Sequence, residues 1–166
     1  MTISQEHFRA KLEELPRLKL SHLNTPLEPL DRLQQALIDE GVPVPNRILV
    51  KRDDTTGLAF GGNKSRHFEF EIGNILQGGY DTVININHYH SNQARFIAAG
   101  CAKAGLKYHI VSIDMVTAPV TGNLLLCKLM GAEIHRTPAE YGRQMADKIF
   151  KAETDAGRKP YILPDD

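Results

Sequence analysis

From Thr82 to Leu163 the chain alternates short β-branched runs with helical apolar periods, and that rhythm leaves few folds open. Thr82-Val83-Ile84-Asn85-Ile86-Asn87 reads as a strand. Ser91 then caps a helix whose inward face is Ala94, Ile97, Ala98, Cys101 and Ala102, and Gly105 stops it. Lys107 to Ile113 is a strand, and Pro119 to Met130 is a helix, apolar on most sides and expected to be buried. Glu133-Ile134-His135 is a short strand, Ala139 to Ala156 a helix with Met145, Ile149 and Ala152 inward, and Tyr161-Ile162-Leu163 a last strand. Strands separated by helices pair in parallel, because only a crossover can bring the chain back to the same end of a sheet. The fold class is therefore α/β, an open parallel sheet of four strands flanked by helices. In such sheets ligands sit beyond the carboxyl ends of the strands, beside helix N-termini.

The upstream part is less regular. His7 to Leu15 is a short helical segment ended by Pro16. Asn24 to Pro29 reads as a turn-rich connection, with Pro29 opening a helix that carries Leu30, Leu33, Leu37 and Ile38 and stops at Gly41. Val42-Pro43-Val44-Pro45 excludes helix, Arg47 to Arg52 reads as a strand, and Asp53 to Gly62 is a glycine-bearing loop. A helix with Phe68, Ile72, Ile75 and Leu76 on one face follows, from Lys64 to about Gln77. Pro164-Asp165-Asp166 comes straight after the last strand, so further chain is expected to follow.

Twenty basic residues balance twenty acidic ones, which gives no electrostatic case for nucleic acid or an anionic membrane. No apolar run reaches the roughly 20 residues of a membrane span, and Met1 to Leu20 is too charged for a signal peptide. Cys101 and Cys127 both fall in helices, as buried thiols of a reducing compartment, and a cytoplasmic location is expected.

Two stretches carry chemistry. In Phe60-Gly61-Gly62-Asn63-Lys64-Ser65-Arg66, Asn63 is a suitable N-cap and Lys64 falls in the first turn. The positive end of the helix disfavours an ammonium there, and attack on a carbonyl carbon needs the uncharged amine. The glycines permit close backbone approach to a ligand. In His88-Tyr89-His90-Ser91-Asn92-Gln93-Ala94-Arg95, the amides of Asn92 and Gln93 and the free donors of a helix start face the strand end. Such a corner can take a carboxylate or a phenolic oxygen. Ser91 also has a plain role as N-cap.

Together, Lys51-Arg52-Asp53-Asp54, then Gly57 to Arg66, then Ser91 to Arg95 resemble the 1-aminocyclopropane-1-carboxylate deaminase / D-cysteine desulfhydrase family, in order and in spacing. Gly122-Asn123, Met130-Gly131-Ala132-Glu133 and Gly157 to Pro164 extend the resemblance from about Leu27 to Leu163. It implies the tryptophan-synthase-β-like fold, represented by its N-terminal half, and pyridoxal 5'-phosphate as cofactor. Residues 1–62 would be an arm of a second, larger domain and 63–166 a small three-layer α/β domain.

The resemblance implies roles for individual residues. Lys64 would form the imine with the cofactor and move protons on the substrate. Asn92 would hydrogen-bond the oxygen at the pyridine 3-position. Ser91 would bind the substrate carboxylate and assist proton transfer, with Gln93 as a further carboxylate contact. The reaction implied is deamination or α,β-elimination on a small amino acid, by an enzyme that is a homo-oligomer when complete. No metal belongs to this site.

Asn87-His88 stand where the family usually has a glycine pair, and side chains there are expected to crowd the cofactor. Members of the family are roughly twice this long, so an apolar surface is expected where the other half would dock. Three rival readings differ in class. A truncated, non-catalytic relative would act as subunit or scaffold. A metal protein would use His88-x-His90 with His109, His135 or Cys101, which no spacing brings together. A dinucleotide-binding domain would need Gly-x-Gly-x-x-Gly between strand and helix, a sequence this chain does not contain.

Overall fold

The computed structural model describes residues 4–44, 46–114 and 116–164. Its centre is a four-stranded parallel sheet of β3 (Thr82–Asn87), β4 (Lys107–Ser112), β5 (Glu133–Arg136) and β6 (Pro160–Ile162), in the order β5-β4-β3-β6. The chain winds outward through α4 (Asn92–Ala104) and α5 (Gly122–Leu129), then returns across the sheet through α6 (Gly142–Asp155) to lay β6 on the far side of β3. The winding reverses at β3, so the carboxyl ends of β3 and β6 flank the switch point where such sheets bind ligands. Pro160, which cannot donate to a ladder, opens an edge strand.

Alternation along each strand separates two cores. Val83, Tyr108 and Ile110 face α4, α5 and α3 (Lys64–Gln77), where Phe68, Ile72, Ile75, Phe96 and Ile97 are fully buried. Ile84 and Val111 face α6, with Ala146 and Ile149. Burying each such aliphatic or aromatic side chain is worth about 1.5–3 kcal/mol as an upper estimate, so the three helices on one face carry most of the stabilisation. Cys101 and Cys127 are free thiols in the larger core, and burial pushes the Cys127 thiol up to about 12.

A buried carboxylate ties α3 to the segment before it. Glu69 accepts from the Leu20 and Ser21 amides, at 2.9 and 2.7 Å, and from Arg17 Nε at 2.7 Å. Burial alone would raise this carboxyl; the two amides and the guanidinium outweigh it and hold Glu69 below the usual carboxylate range. The chain presses so closely on α3 here that a Cβ at Gly73 would lie 2.6 Å from the Arg17 nitrogen.

The upstream segment holds α1 (Gln5–Glu13), capped by Ser4, and α2 (Asp31–Asp39), neither with a buried residue. It also holds a separate antiparallel ladder of β1 (Leu27–Pro29) and β2 (Leu49–Lys51). The sequence reading differs here in two ways. Leu27–Pro29 is a strand rather than a turn, because its partner lies more than twenty residues on, and Pro29 ends that strand instead of opening α2. Val42 to Val44 are non-helical as expected, while Pro45 and the terminal Asp165 and Asp166 lie outside the described residues. The helix expected from Pro119 begins only at Gly122, and one side of it is not covered: Leu124 and Cys127 are buried but Leu129 is 74% exposed. Leu27, Leu33, Ile38 and Leu49 are also exposed, so an open apolar surface is present on the upstream arm as well. No helix among the described residues is long and apolar enough to cross a membrane.

Candidate active site

The loop before Lys64 is fixed by its own backbone. Thr56 is fully buried; its hydroxyl donates to the Asp53 or Gly62 carbonyl, at 2.9 and 3.0 Å, and accepts from the Gly62 amide at 3.0 Å. Gly61 has φ +79°, and a Cβ there would lie 1.7 Å from the Asp54 carbonyl oxygen, so only glycine fits. Ala59 and Phe60 also hold positive φ, 48° and 68°, a conformation L-residues adopt at a cost. Asp53 joins this loop to α3 and to the arm, accepting from Arg66 at 2.8 Å and Thr25 at 2.9 Å. Those two donors, Arg66 first, bring its carboxyl down to about 2.

Lys64 is the first residue of α3, half-buried, and has no hydrogen-bond or ion-pair partner among the described residues. Asn63 does not cap the helix as expected. Its backbone is already helical and its side chain makes no cap bond; Ser65 Oγ instead donates to the Gly62 carbonyl at 2.8 Å. The Lys64 loop rests on α4, where Arg95 donates to the Ala59 carbonyl and the Phe96 ring lies 3.0 Å from the Cβ position of Gly62.

The second stretch folds as the sequence indicates. Ser91 Oγ accepts from the Ala94 amide at 3.2 Å and donates to Asn87 Oδ1 at 2.7 Å. Asn87 is thus the buried support of Ser91, and its Nδ2 is a buried donor without a partner among the described residues. Asn92 is exposed; its Oδ1 accepts from Asn123 Nδ2 at 3.0 Å, which commits the amide oxygen and turns the Asn92 NH2 group to other acceptors. Asp114 accepts from the Tyr89 amide and lies 3.3 Å from His88 Nδ1, while the Tyr89 hydroxyl donates to the Pro119 carbonyl. No local pattern marks Asp114 or the Asn123–Asn92 bond: Asp114 lies in the loop after β4, and the bond joins the first turns of α5 and α4.

A cavity of about 440 Å³ opens at the switch point, lined among others by Asn87, His88, Gln93, Arg143 and Pro164. Gln93 is in its wall; Lys64, Ser91 and Asn92 are not. The described residues therefore gather Ser91, Asn92 and Gln93 at one helix start, while Lys64 starts the neighbouring α3, whose leading loop touches α4 through Arg95 and Phe96. His88 and His90 do not meet the other histidines. His109 and His135 do meet, with Nδ1 of one 2.9 Å from Nε2 of the other, on the α6 face and away from this edge. Burial, as the main cause, holds both imidazoles below the usual histidine range.

The donor set fits a pyridoxal ring: a primary amine without a partner among the described residues for a carbonyl carbon, an amide NH2 for a phenolic oxygen, and the start of α4 with Ser91 for a carboxylate.

A model of the pyridoxal-phosphate dependent enzyme family matches residues 18–165. A putative 1-aminocyclopropane-1-carboxylate deaminase of Pyrococcus abyssi is 40% identical over 158 residues, which are 93% of this chain and 45% of that protein. The 1-aminocyclopropane-1-carboxylate deaminase of Variovorax paradoxus is 36% identical over 162 residues, 92% of this chain and 46% of that one. A crystal structure of a homologue of this deaminase superposes with a TM-score of 0.79 at 32% identity, over 93% of this chain and 46% of its own. The chain spans about half the length of the relatives it matches.

Proposed function

Because this chain belongs to the pyridoxal-phosphate dependent enzyme family, we propose that it forms one wall of the active site of a deaminase or lyase acting on a small amino acid of the 1-aminocyclopropane-1-carboxylate or D-cysteine type. The observation that carries this reading is Lys64: a half-buried amine with no partner among the described residues, at the end of a loop that only glycine at position 61 permits. Pyridoxal phosphate, when bound, supplies an electron sink for charge developing on the substrate. Lys64 would hold the cofactor through its amine, and that amine would take or return a proton at the substrate. Asn92, oriented by Asn123, donates its amide hydrogen to the phenolic oxygen. Ser91 and the start of α4 would receive the substrate carboxylate, and Gln93 would add a contact from the cavity side.

The lone two-stranded ladder and the uncovered α2 support reading residues 1–62 as part of a larger domain and 63–166 as the small one. A cytoplasmic homo-oligomer, with no nucleic-acid or membrane partner, is the accompanying proposal.

Ammonia and 2-oxo acid released from 1-aminocyclopropane-1-carboxylate and from D-cysteine, with pyridoxal phosphate added, test the reading. We expect release from one of them, lost in Lys64→Ala. Release that survives Lys64→Ala, or none from either amino acid once the remaining half of a relative is supplied, would overturn it.

A further inference from the structure

We infer that His109, His135 and Glu133 form a binding site for a divalent transition ion such as Zn²⁺, on the face of the sheet covered by α6 and separate from the Lys64 edge. The three candidate donor atoms lie within 4.8 Å of one another. His109 Nδ1 is 2.9 Å from His135 Nε2 and 3.4 Å from Glu133 Oε2. Ligands on a tetrahedral ion with bonds of roughly 2.0–2.1 Å are spaced by roughly 3.3 Å, so these separations need only small adjustment.

Sheet register builds the site. His109 pairs with Glu133 across the β4–β5 ladder, and His135, two residues further along β5, points to the same face. All three therefore converge without any loop to order. Two imidazoles and a carboxylate are a donor set that suits zinc and leaves a fourth position for water. Glu133 is exposed on the edge strand, which gives the ion a path from solvent.

The surroundings supply a second, independent argument. His109 Nε2 is buried 3.2 Å from Glu153 Oε1 on α6, with no aligned hydrogen bond among the described residues, so a small ring rotation would turn its N–H to that carboxylate. A metal-bound imidazole typically presents its other N–H to a carboxylate, which fixes the tautomer and leaves the opposite nitrogen free to ligate. With Nε2–H turned to Glu153, His109 Nδ1 carries the lone pair that faces His135 and Glu133. The ion then takes the place of the single proton the two imidazoles share. Lys107 opposes it: the ammonium is 3.2 Å from Glu133 Oε1 and 2.7 Å from Glu153 Oε1, and competes for Glu133. Affinity should accordingly be micromolar rather than that of a structural zinc finger.

The test uses the purified chain, stripped with a chelator and titrated with ZnCl₂ by calorimetry and with CoCl₂ by visible absorption. We expect one site with a micromolar Kd and the intense visible bands of tetrahedral cobalt. Affinity should fall at least tenfold in His135→Gln and in Glu133→Gln, and be unchanged in His88→Ala/His90→Ala. The exposed Glu133 side chain can change without loss of fold. No saturable binding below millimolar metal, unchanged binding in either ligand variant, or loss of binding in the His88/His90 variant would overturn the assignment.

Discussion

Replacing Glu69 by Gln should loosen the helix that presents Lys64. In the native chain one carboxylate oxygen takes the Leu20 and Ser21 amides and the other takes the Arg17 guanidinium. A glutamine offers a single oxygen, so its NH2 group must face one of the two donor sets. At least two donors then lose their acceptor in a place where the Glu69 side chain is fully buried. Breaking a buried pair costs roughly 3–5 kcal/mol. The Arg17 side chain is 32% exposed, so water recovers part of its share and the low end applies, about 3 kcal/mol. In a chain of this size that lowers Tm by roughly 6–12 °C. Urea unfolding followed by circular dichroism measures it. The sign with pH is also fixed. The folded carboxyl titrates below its ordinary 4.5, so its contribution is full above that value and is lost as pH falls through the folded pKa. Glu69→Gln should lack that acid-sensitive component. A loss under about 1 kcal/mol, with the acid slope retained, would refute the reasoning.

Gly61→Ala should cost roughly 2–5 kcal/mol, combining a positive φ with a Cβ placed on the Asp54 carbonyl, and should weaken pyridoxal phosphate binding more than Gly105→Ala; equal effects in a binding titration would count against a shaped loop. Ser91→Ala removes a cap and leaves Asn87 Oδ1 without its donor, so denaturant unfolding should show a loss of about 1–2 kcal/mol. His109 and His135 titrate below 6.5 in the fold, so stability should fall as pH drops from about 6.5 toward their folded values, and His135→Gln should flatten that slope.

Most of the sheet was legible because each element has a local signature. Thr82 to Asn87 and Lys64 to Gln77 end where the sequence places them: glycine pairs bracket the helix, and the strand is a β-branched run that stops at His88. The ladder of Leu27–Pro29 with Leu49–Lys51 was not legible, because three residues carry no period and pairing is decided across a long loop. Pro119 to Met130 reads as buried because apolar residues fall on most sides; which of them is covered depends on neighbours, and Leu129 faces outward. At the site, the helix starts at Lys64 and after Ser91 were legible, while the roles of Lys64 and Ser91 to Gln93 rest on the family resemblance. The meeting of His109, Glu133 and His135 was missed because strand register, which spacing does not reveal, brings it about. Asn87, expected to crowd a cofactor, also accepts the Ser91 hydroxyl, a contact visible only once β3 and α4 are joined.

The most direct measurement is chemical mapping of the lysine that holds the cofactor. Pyridoxal phosphate is added to the purified chain, the adduct is reduced with borohydride, and the modified residue is located by mass spectrometry. The account predicts one saturable label, on Lys64, absent in Lys64→Ala. Labelling spread over exposed lysines with Lys64 unmodified would contradict it.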